Sequence, residues 1–177
     1  FYPEAWADVV ETMASRFEEY GLEPDVIAGV EAAGSMHAAC LAYRLKLPAI
    51  MVRQKAKTYG DFSRIEGGDV RGKKVLVLED HISTGLSCLD AVRALREAGA
   101  TVTQVMSITN FKIPETVKLF KEAGLETFGV IGFDRVVEKA RALGLIEEAE
   151  KKEVFDWLKT PWTWAAMRGI VPDSREN

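Results

Sequence analysis

The stretch Lys73-Lys74-Val75-Leu76-Val77-Leu78-Glu79-Asp80-His81-Ile82-Ser83-Thr84-Gly85-Leu86-Ser87 decides the fold. It begins as an unbroken apolar run and turns abruptly to two adjacent carboxylates. It then passes through a short loop of hydroxyls and glycine and ends where a helical pattern starts. An apolar run without alternation marks a parallel strand buried on both faces, and open α/β sheets bind ligands beyond the carboxyl ends of such strands. Ser83, Thr84, Gly85 and Ser87 set hydroxyls and close-approach backbone N–H groups at a helix N-terminus, where unpaired donors and the macrodipole attract phosphate. Beside that cradle the carboxylates of Glu79 and Asp80 would repel a bare phosphate tail. They suit a pair of sugar hydroxyls, or a magnesium ion held between sugar and phosphate.

Working outward, Leu86 to Ala98 reads as a helix with Leu89, Val92 and Leu95 inward, and Val102 to Ile108 as the next strand. Pro114 sits where a first-turn proline belongs, and its helix ends at Gly124. Thr127 to Phe133 is a further strand, followed by helices near 135–143 and 146–158. On the other side, Trp6 to Tyr20 is an amphipathic helix stopped by Gly21, Asp25 to Val30 is a strand, and Glu31 to Ser35 is the loop after it. A helix from about Met36 to Lys46 closes before Pro48, and the strand Ala49–Val52 exits into the basic segment Arg53-Gln54-Lys55-Ala56-Lys57-Thr58-Tyr59-Gly60. From Thr58 to Gly72 the pattern dissolves into a long glycine-rich loop, a kind that is commonly a functional lid or disordered.

This order predicts one α/β domain over residues 1–177, built on a mostly parallel sheet of five strands flanked by helices, with a C-terminal helix and aromatic tail over 145–177. Trp157, Trp162, Trp164 and Met167 of that tail read as packing or as a subunit contact. At 177 residues the chain suffices for one domain, and its net charge of −4 lacks the basic footprint of a general nucleic-acid binder. No run approaches the roughly 18 apolar residues of a membrane span, and no signal segment opens the chain. Cys40 and Cys88 both fall in helical patterns without metal spacing, as buried small hydrophobes in a reducing cytoplasm do. Gly29 to Gly34 has the glycine spacing of a P-loop, but Ser35-Met36 stands where Lys and Ser/Thr are required. No G-x-G-x-x-G opens a helix, so the dinucleotide-binding fingerprint is missing.

Val75 to Ser87 resembles the signature of type I phosphoribosyltransferases. Gly29-Val30-Glu31-Ala32-Ala33-Gly34 with His37-Ala38-Ala39 is similar to the pyrophosphate loop of the orotate phosphoribosyltransferases. Arg53-Gln54-Lys55-Ala56-Lys57, followed by Gly60 and Arg64-Ile65-Glu66-Gly67, is similar to their mobile catalytic loop. The resemblance implies an enzyme, a pentosyltransferase of pyrimidine nucleotide biosynthesis. It would move ribose 5-phosphate from phosphoribosyl pyrophosphate (PRPP) to orotate, giving orotidine 5′-monophosphate and pyrophosphate.

By this resemblance Glu79 and Asp80 would accept hydrogen bonds from the ribose hydroxyls, with Asp80 placing Mg2+, and Ser83, Thr84, Gly85, Leu86 and Ser87 would bind the 5-phosphate. Ser83 would also approach the base. Ala32, Ala33 and Gly34 would present backbone groups to the pyrophosphate. Arg53 and Lys57 would neutralise it as it leaves, with Gln54, Tyr59, His81 and Ile82 completing the PRPP contacts. Arg53, Lys57 and Asp80 are thus the expected catalytic residues. The resemblance further implies a cytoplasmic homodimer in which the loop crosses to the neighbouring site.

Some positions depart from the pattern. Tyr59 stands where many members carry histidine, Gln54 where lysine is frequent, and His81 and Leu86 where an apolar residue and glycine are usual. Asn110-Phe111 occupies the place of an arginine that contacts orotate in many members. The hood that precedes the first helix in the family is expected to be absent or truncated. Transfer to a purine or another base, and non-catalytic binding of PRPP by a regulator, are the alternative readings.

Overall fold

The computed structural model describes residues 2–56 and 63–170. These residues form α1 (Pro3–Glu19), β1 (Val26–Val30), α2 (Ala33–Leu45), β2 (Ala49–Val52), β3 (Ile65–Glu66), β4 (Lys74–Ile82) and α3 (Leu86–Glu97). They continue as β5 (Thr101–Asn110), α4 (Pro114–Glu122), β6 (Glu126–Gly132), α5 (Phe133–Ala142), α6 (Glu148–Lys159) and α7 (Pro161–Met167). The strands make one sheet in the order β3-β2-β1-β4-β5-β6, parallel except for β3.

The unbroken apolar character of β1 and β4 follows from burial on both faces. Val75 and Val77, with Val26, Ala28 and Val30, meet Cys88, Ala91, Val92 and Leu95 of α3 on one face. Leu76 and Leu78, with Ile27 and Met106, meet Met13 and Phe17 of α1 and Ala38, Leu41 and Ala42 of α2 on the other. Alternation with period two splits one apolar strand between two cores. Strand order reverses between β1 and β4, since β2 lies on one side of β1 and β4, β5 and β6 on the other. That reversal opens a crevice beyond the carboxyl ends of β1 and β4, the place where such sheets bind ligands.

Three expectations need correction. The sheet has six strands, not five, because Ile65-Glu66 in the segment read as a long loop pairs antiparallel with β2, Met51 opposite Glu66 and Val52 opposite Ile65. The strand of the opening stretch does not stop before the acid pair. It runs on to Ile82, because β5 also extends and supplies partners, Glu79 to Ser107, His81 to Thr109 and Ile82 to Asn110. The helix after β1 begins at Ala33, so most of the expected pyrophosphate loop lies in its first turn. Its other end is closed by Lys46 in the left-handed conformation, φ 61°. Of the aromatic tail, Trp157 packs edge-on against Phe111 at a ring separation of 5.9 Å, whereas Trp162 is exposed.

Leu76, fully buried at the centre of β4, gives a direct test of this packing. Leu76→Ala is expected to lower the unfolding free energy by about 2–5 kcal/mol. Met167→Ala, at an exposed position on α7, is expected to change it by no more than about 0.5 kcal/mol. Urea titration followed by circular dichroism measures both.

Candidate active site

Two helix N-termini converge on the crevice. Gly34, in the first turn of α2, lies against β4, and a Cβ there would stand 2.7 Å from the Leu78 carbonyl oxygen and 3.5 Å from Glu79 Oε1. The first of these is a backbone atom that cannot swing aside, so only glycine lets the turn formed by Ala32, Ala33 and Gly34 settle on the acid-bearing strand. Across the crevice Gly85 forms the N-cap of α3 with φ 74°, a left-handed conformation that glycine adopts without strain. A Cβ on Gly85 would come within 2.3 Å of the Phe120 ring and 3.1 Å of Thr116 Cγ2. Thr116 Oγ1 also donates to the Ser83 carbonyl at 2.7 Å, so α4 braces the loop 83–87 from behind. Neither α2 nor α3 has an acidic residue in its first turn, whereas α1, α4, α5 and α6 all do. Acid there would occupy the unpaired N–H groups; at these two helices they stay open to phosphate.

Glu79 and Asp80 project from successive positions of β4 and so toward opposite faces. Glu79 is buried, and Asp80 is half-buried at the crevice. Burial pushes the Glu79 carboxyl up to about 8, helped by the hydrogen bond and the charge of Asp80. Burial also pushes Asp80 up, but hydrogen bonding from Glu79 and from the His81 N–H, which donates to Asp80 Oδ1 at 2.7 Å, outweighs it and holds Asp80 below its ordinary value. His81 and His37, the only two histidines of the chain, add to that lowering from either side. At neutral pH the unliganded pair therefore holds a proton on Glu79 and a charge on Asp80. His81 Nδ1 is hydrogen-bonded to Thr109 Oγ1, its register partner on β5. Ile82 is buried, and its carbonyl accepts the Phe111 N–H at 3.0 Å.

The basic segment leaves the sheet at the same end. Arg53 follows β2, its N–H donates to the Arg64 carbonyl at 2.8 Å, and Arg64 Nε returns a bond to the Arg53 carbonyl at 2.9 Å. These bonds clasp the two stems of the excursion between β2 and β3. Arg53 Nη1 forms an ion pair with Glu66 at 2.9 Å, and Gln54 is tied to the loop after β1 by its N–H to Glu31 Oε2 at 2.9 Å. Lys57, Tyr59 and Gly60 lie outside the described residues.

Thus Ala32, Ala33 and Gly34 after β1, Glu79 and Asp80 in β4, Ser83 to Ser87 after it, and Arg53 and Gln54 after β2 all stand at the carboxyl end of the parallel strands. Thr116 and Thr109 escaped the sequence reading. Both are ordinary threonines whose importance comes from a partner far along the chain. Glu31 and Glu66 fall within the two loops named above, but their bonds to Gln54 and Arg53 carry no local sequence signal.

The acid pair makes the stability of the unliganded protein depend on pH in a stated direction. A carboxyl raised from 4.5 to about 8 in the folded chain keeps a proton that the unfolded chain releases between those values. Stability from this group is therefore complete below about pH 4.5 and is lost as the pH rises toward 8, with a limiting slope of about 1.4 kcal/mol per pH unit. Glu79→Gln is expected to flatten that slope, as read from chemical denaturation at a series of pH values.

The family model described as the phosphoribosyl transferase domain matches residues 2–130. The orotate phosphoribosyltransferase of Coxiella burnetii is 40% identical over 163 residues, which are 92% of this chain and 78% of that protein. That of Oceanobacillus iheyensis is 39% identical over 154 residues, 87% of this chain and 76% of the relative. Among solved structures, the orotate phosphoribosyltransferase of Aeropyrum pernix superposes with a TM-score of 0.70 at 25% identity, covering 82% of this chain and 79% of the other. This chain holds two acid-free helix N-termini and a carboxylate pair at one crevice and matches these relatives in sequence along most of their length, and it belongs to the phosphoribosyltransferase family, among its orotate phosphoribosyltransferases.

Proposed function

We propose that the protein transfers ribose 5-phosphate from PRPP to orotate, releasing pyrophosphate and forming orotidine 5′-monophosphate. The observation that carries this reading is the seat of Gly34 against Leu78 and Glu79. It supports a reading in which the N-terminus of α2 would receive the diphosphate and that of α3, capped by Gly85, the monophosphate, on either side of carboxylates suited to the sugar between them. Glu79 and Asp80 would take the ribose hydroxyls, and Ser83, Thr84, Gly85, Leu86 and Ser87 the 5-phosphate. Ala32, Ala33 and Gly34 would take the pyrophosphate. Arg53, Gln54, Lys57 and Tyr59 would close on the same leaving group from the β2 flank, His81 and Ile82 would line the sugar, and Ser83 would reach the base.

Magnesium suits this donor set. The ion is commonly held by one or two carboxylates together with substrate oxygens. Asp80 is an ionised, half-buried carboxylate, and Glu79 Oε1 lies beside it at the crevice, accepting the Asp80 N–H. Asp80 would hold the ion with the sugar and diphosphate oxygens, where it supplies positive charge against the diphosphate. The same reading has the whole chain as one domain and two copies forming a homodimer in the cytoplasm. Among the described residues no helix is long and apolar enough to cross a membrane.

The reaction is a displacement at the anomeric carbon. The bond to pyrophosphate breaks as positive charge develops on the ribosyl ring, and the base nitrogen forms the new bond from the opposite face. Backbone N–H groups of 32–34 and the Arg53 guanidinium stabilise the departing charge, and the acid pair orients the ring. Fixed dipoles and cations aimed at developing charge need no reorganisation during the step.

Incubation with magnesium, PRPP and a panel of bases, followed by pyrophosphate release, tests the reading. Turnover with orotate is expected; turnover only with adenine or hypoxanthine would sink it. Asp80→Asn is expected to raise KM for PRPP by about tenfold or more, the loss of one charge-assisted contact. Lys57→Ala is expected to lower kcat while KM for PRPP moves less, and a wild-type kcat in that variant would remove Lys57 from the leaving-group role.

A further inference from the structure

Beside the acid pair lie two buried polar atoms that the displacement does not use. Ser107 of β5 is 0% exposed, and its hydroxyl has no hydrogen-bond partner among the described residues. Its register partner on β4 is Glu79, whose Oε2 is equally buried and equally without a partner. The two side chains share a face. Val77 and Val105, two residues earlier and themselves in register, both pack in the core beneath α3, and alternation with period two returns Glu79 and Ser107 to that side. Cys88 of α3 is buried on the same face, its thiol pushed up by burial and by the charge of Glu79, which puts the carboxyl within its electrostatic reach.

A donor and an acceptor, both buried, neighbours across one strand seam and both unsatisfied, are a rare combination. Buried polar groups are nearly always hydrogen-bonded, and an exception calls for a reason. Packing is not a sufficient reason, since alanine would fill the position without the cost of an unpartnered hydroxyl. The outer oxygen of Glu79, Oε1, already faces the crevice beside Gly34 and the Asp80 N–H.

We propose that Ser107 is a positioning residue for Glu79. When the ribose hydroxyls of PRPP engage Oε1, the Ser107 hydroxyl donates to Oε2 and fixes the rotation of the carboxylate, so that the sugar is held in one orientation for displacement. The inference rests on the reading of Glu79 as the acceptor for those hydroxyls. It assigns the unpartnered serine to the bound state and not to the stability of the empty protein.

The test compares wild type, Ser107→Ala, Ser107→Cys, Glu79→Gln and the double variant Ser107→Ala/Glu79→Gln. Each is assayed for Tm without ligand, and for kcat and the KM values of PRPP and orotate with magnesium. Ser107→Ala is expected to keep or raise Tm, to raise KM for PRPP by about tenfold, and to leave KM for orotate within about twofold. Ser107→Cys, which retains a weak donor, should fall between it and wild type. In the Glu79→Gln background the same serine replacement should add less than about twofold, the mark of two residues acting as a unit. A PRPP KM unchanged by Ser107→Ala, a tenfold loss that persists without the Glu79 carboxylate, or a fall in unliganded Tm that marks a packing role would each overturn the inference. If Glu79→Gln alone left PRPP binding intact, the reading of the acid pair would fall and this inference with it. Loss with Glu79→Gln but not with Ser107→Ala would overturn the inference alone.

Discussion

The close approach of the first turn of α2 to the carboxyl end of β4 is the constraint on which the site depends. Gly34 stands where a single methyl group would meet the Leu78 carbonyl oxygen at 2.7 Å. Because the atom in the way is backbone, and β4 is held on both sides by β1 and β5, the strand cannot yield. Any larger residue would push the helix N-terminus out of the crevice. That displacement would separate the turn at 32–34 from Glu79 and break the alignment of two anion-binding helix ends with the carboxylates between them. The two cores set this approach from below. Ala38, Leu41 and Ala42 fix α2 on Leu76 and Leu78, and small alanines at two of those contacts keep the helix low over the sheet.

The electrostatics follow from where the chain omits charge as much as from where it places it. Four of the longer helices carry an acid in their first turn, and the two that face the crevice do not. The acid pair lies between those ends, with Glu31 before α2 tied to the Gln54 N–H, and one member of the pair is neutral at physiological pH because burial makes a second charge too costly. An empty site that presented two carboxylate charges beside two phosphate seats would repel the substrate it must collect. Sharing one proton halves that repulsion, while leaving Asp80 charged to receive a cation.

Much of this was legible in the sequence. The apolar run of β4, the carboxylate pair and the hydroxyl-glycine loop occur in one unbroken segment, so local chemistry alone revealed that half of the site. The limits of β4 were not legible, since the strand continues through Glu79 and Asp80 only because β5 offers partners as far as Asn110, and polar residues give no sign of that pairing. The sixth strand was hidden for a similar reason. Ile65-Glu66 is too short to show a period and is fixed by its partner β2. The supports of the site were the least visible, because Thr116 and Ser107 act through residues some 30 positions away and carry no local motif.

Strand order also decides which flank of the crevice serves which half of the reaction. In the displacement proposed above, the base must approach the ring from the side opposite the departing pyrophosphate. There the pyrophosphate would sit at the turn after β1, with Arg53 extending the seat toward β2, so the acceptor would come from the side of β5 and β6. On that side lie the His81–Thr109 bond and the stacked rings of Phe111 and Phe133, 4.1 Å apart, with Trp157 of α6 set edge-on against Phe111. These are also positions, His81 and Asn110-Phe111, at which the chain departs from the usual pattern of its family. The donor side rests on backbone N–H groups and on the glycines at 34 and 85, whose places no larger residue can take without a clash. The acceptor side is built from side chains that the sheet merely carries, and there the fold leaves the sequence free to vary.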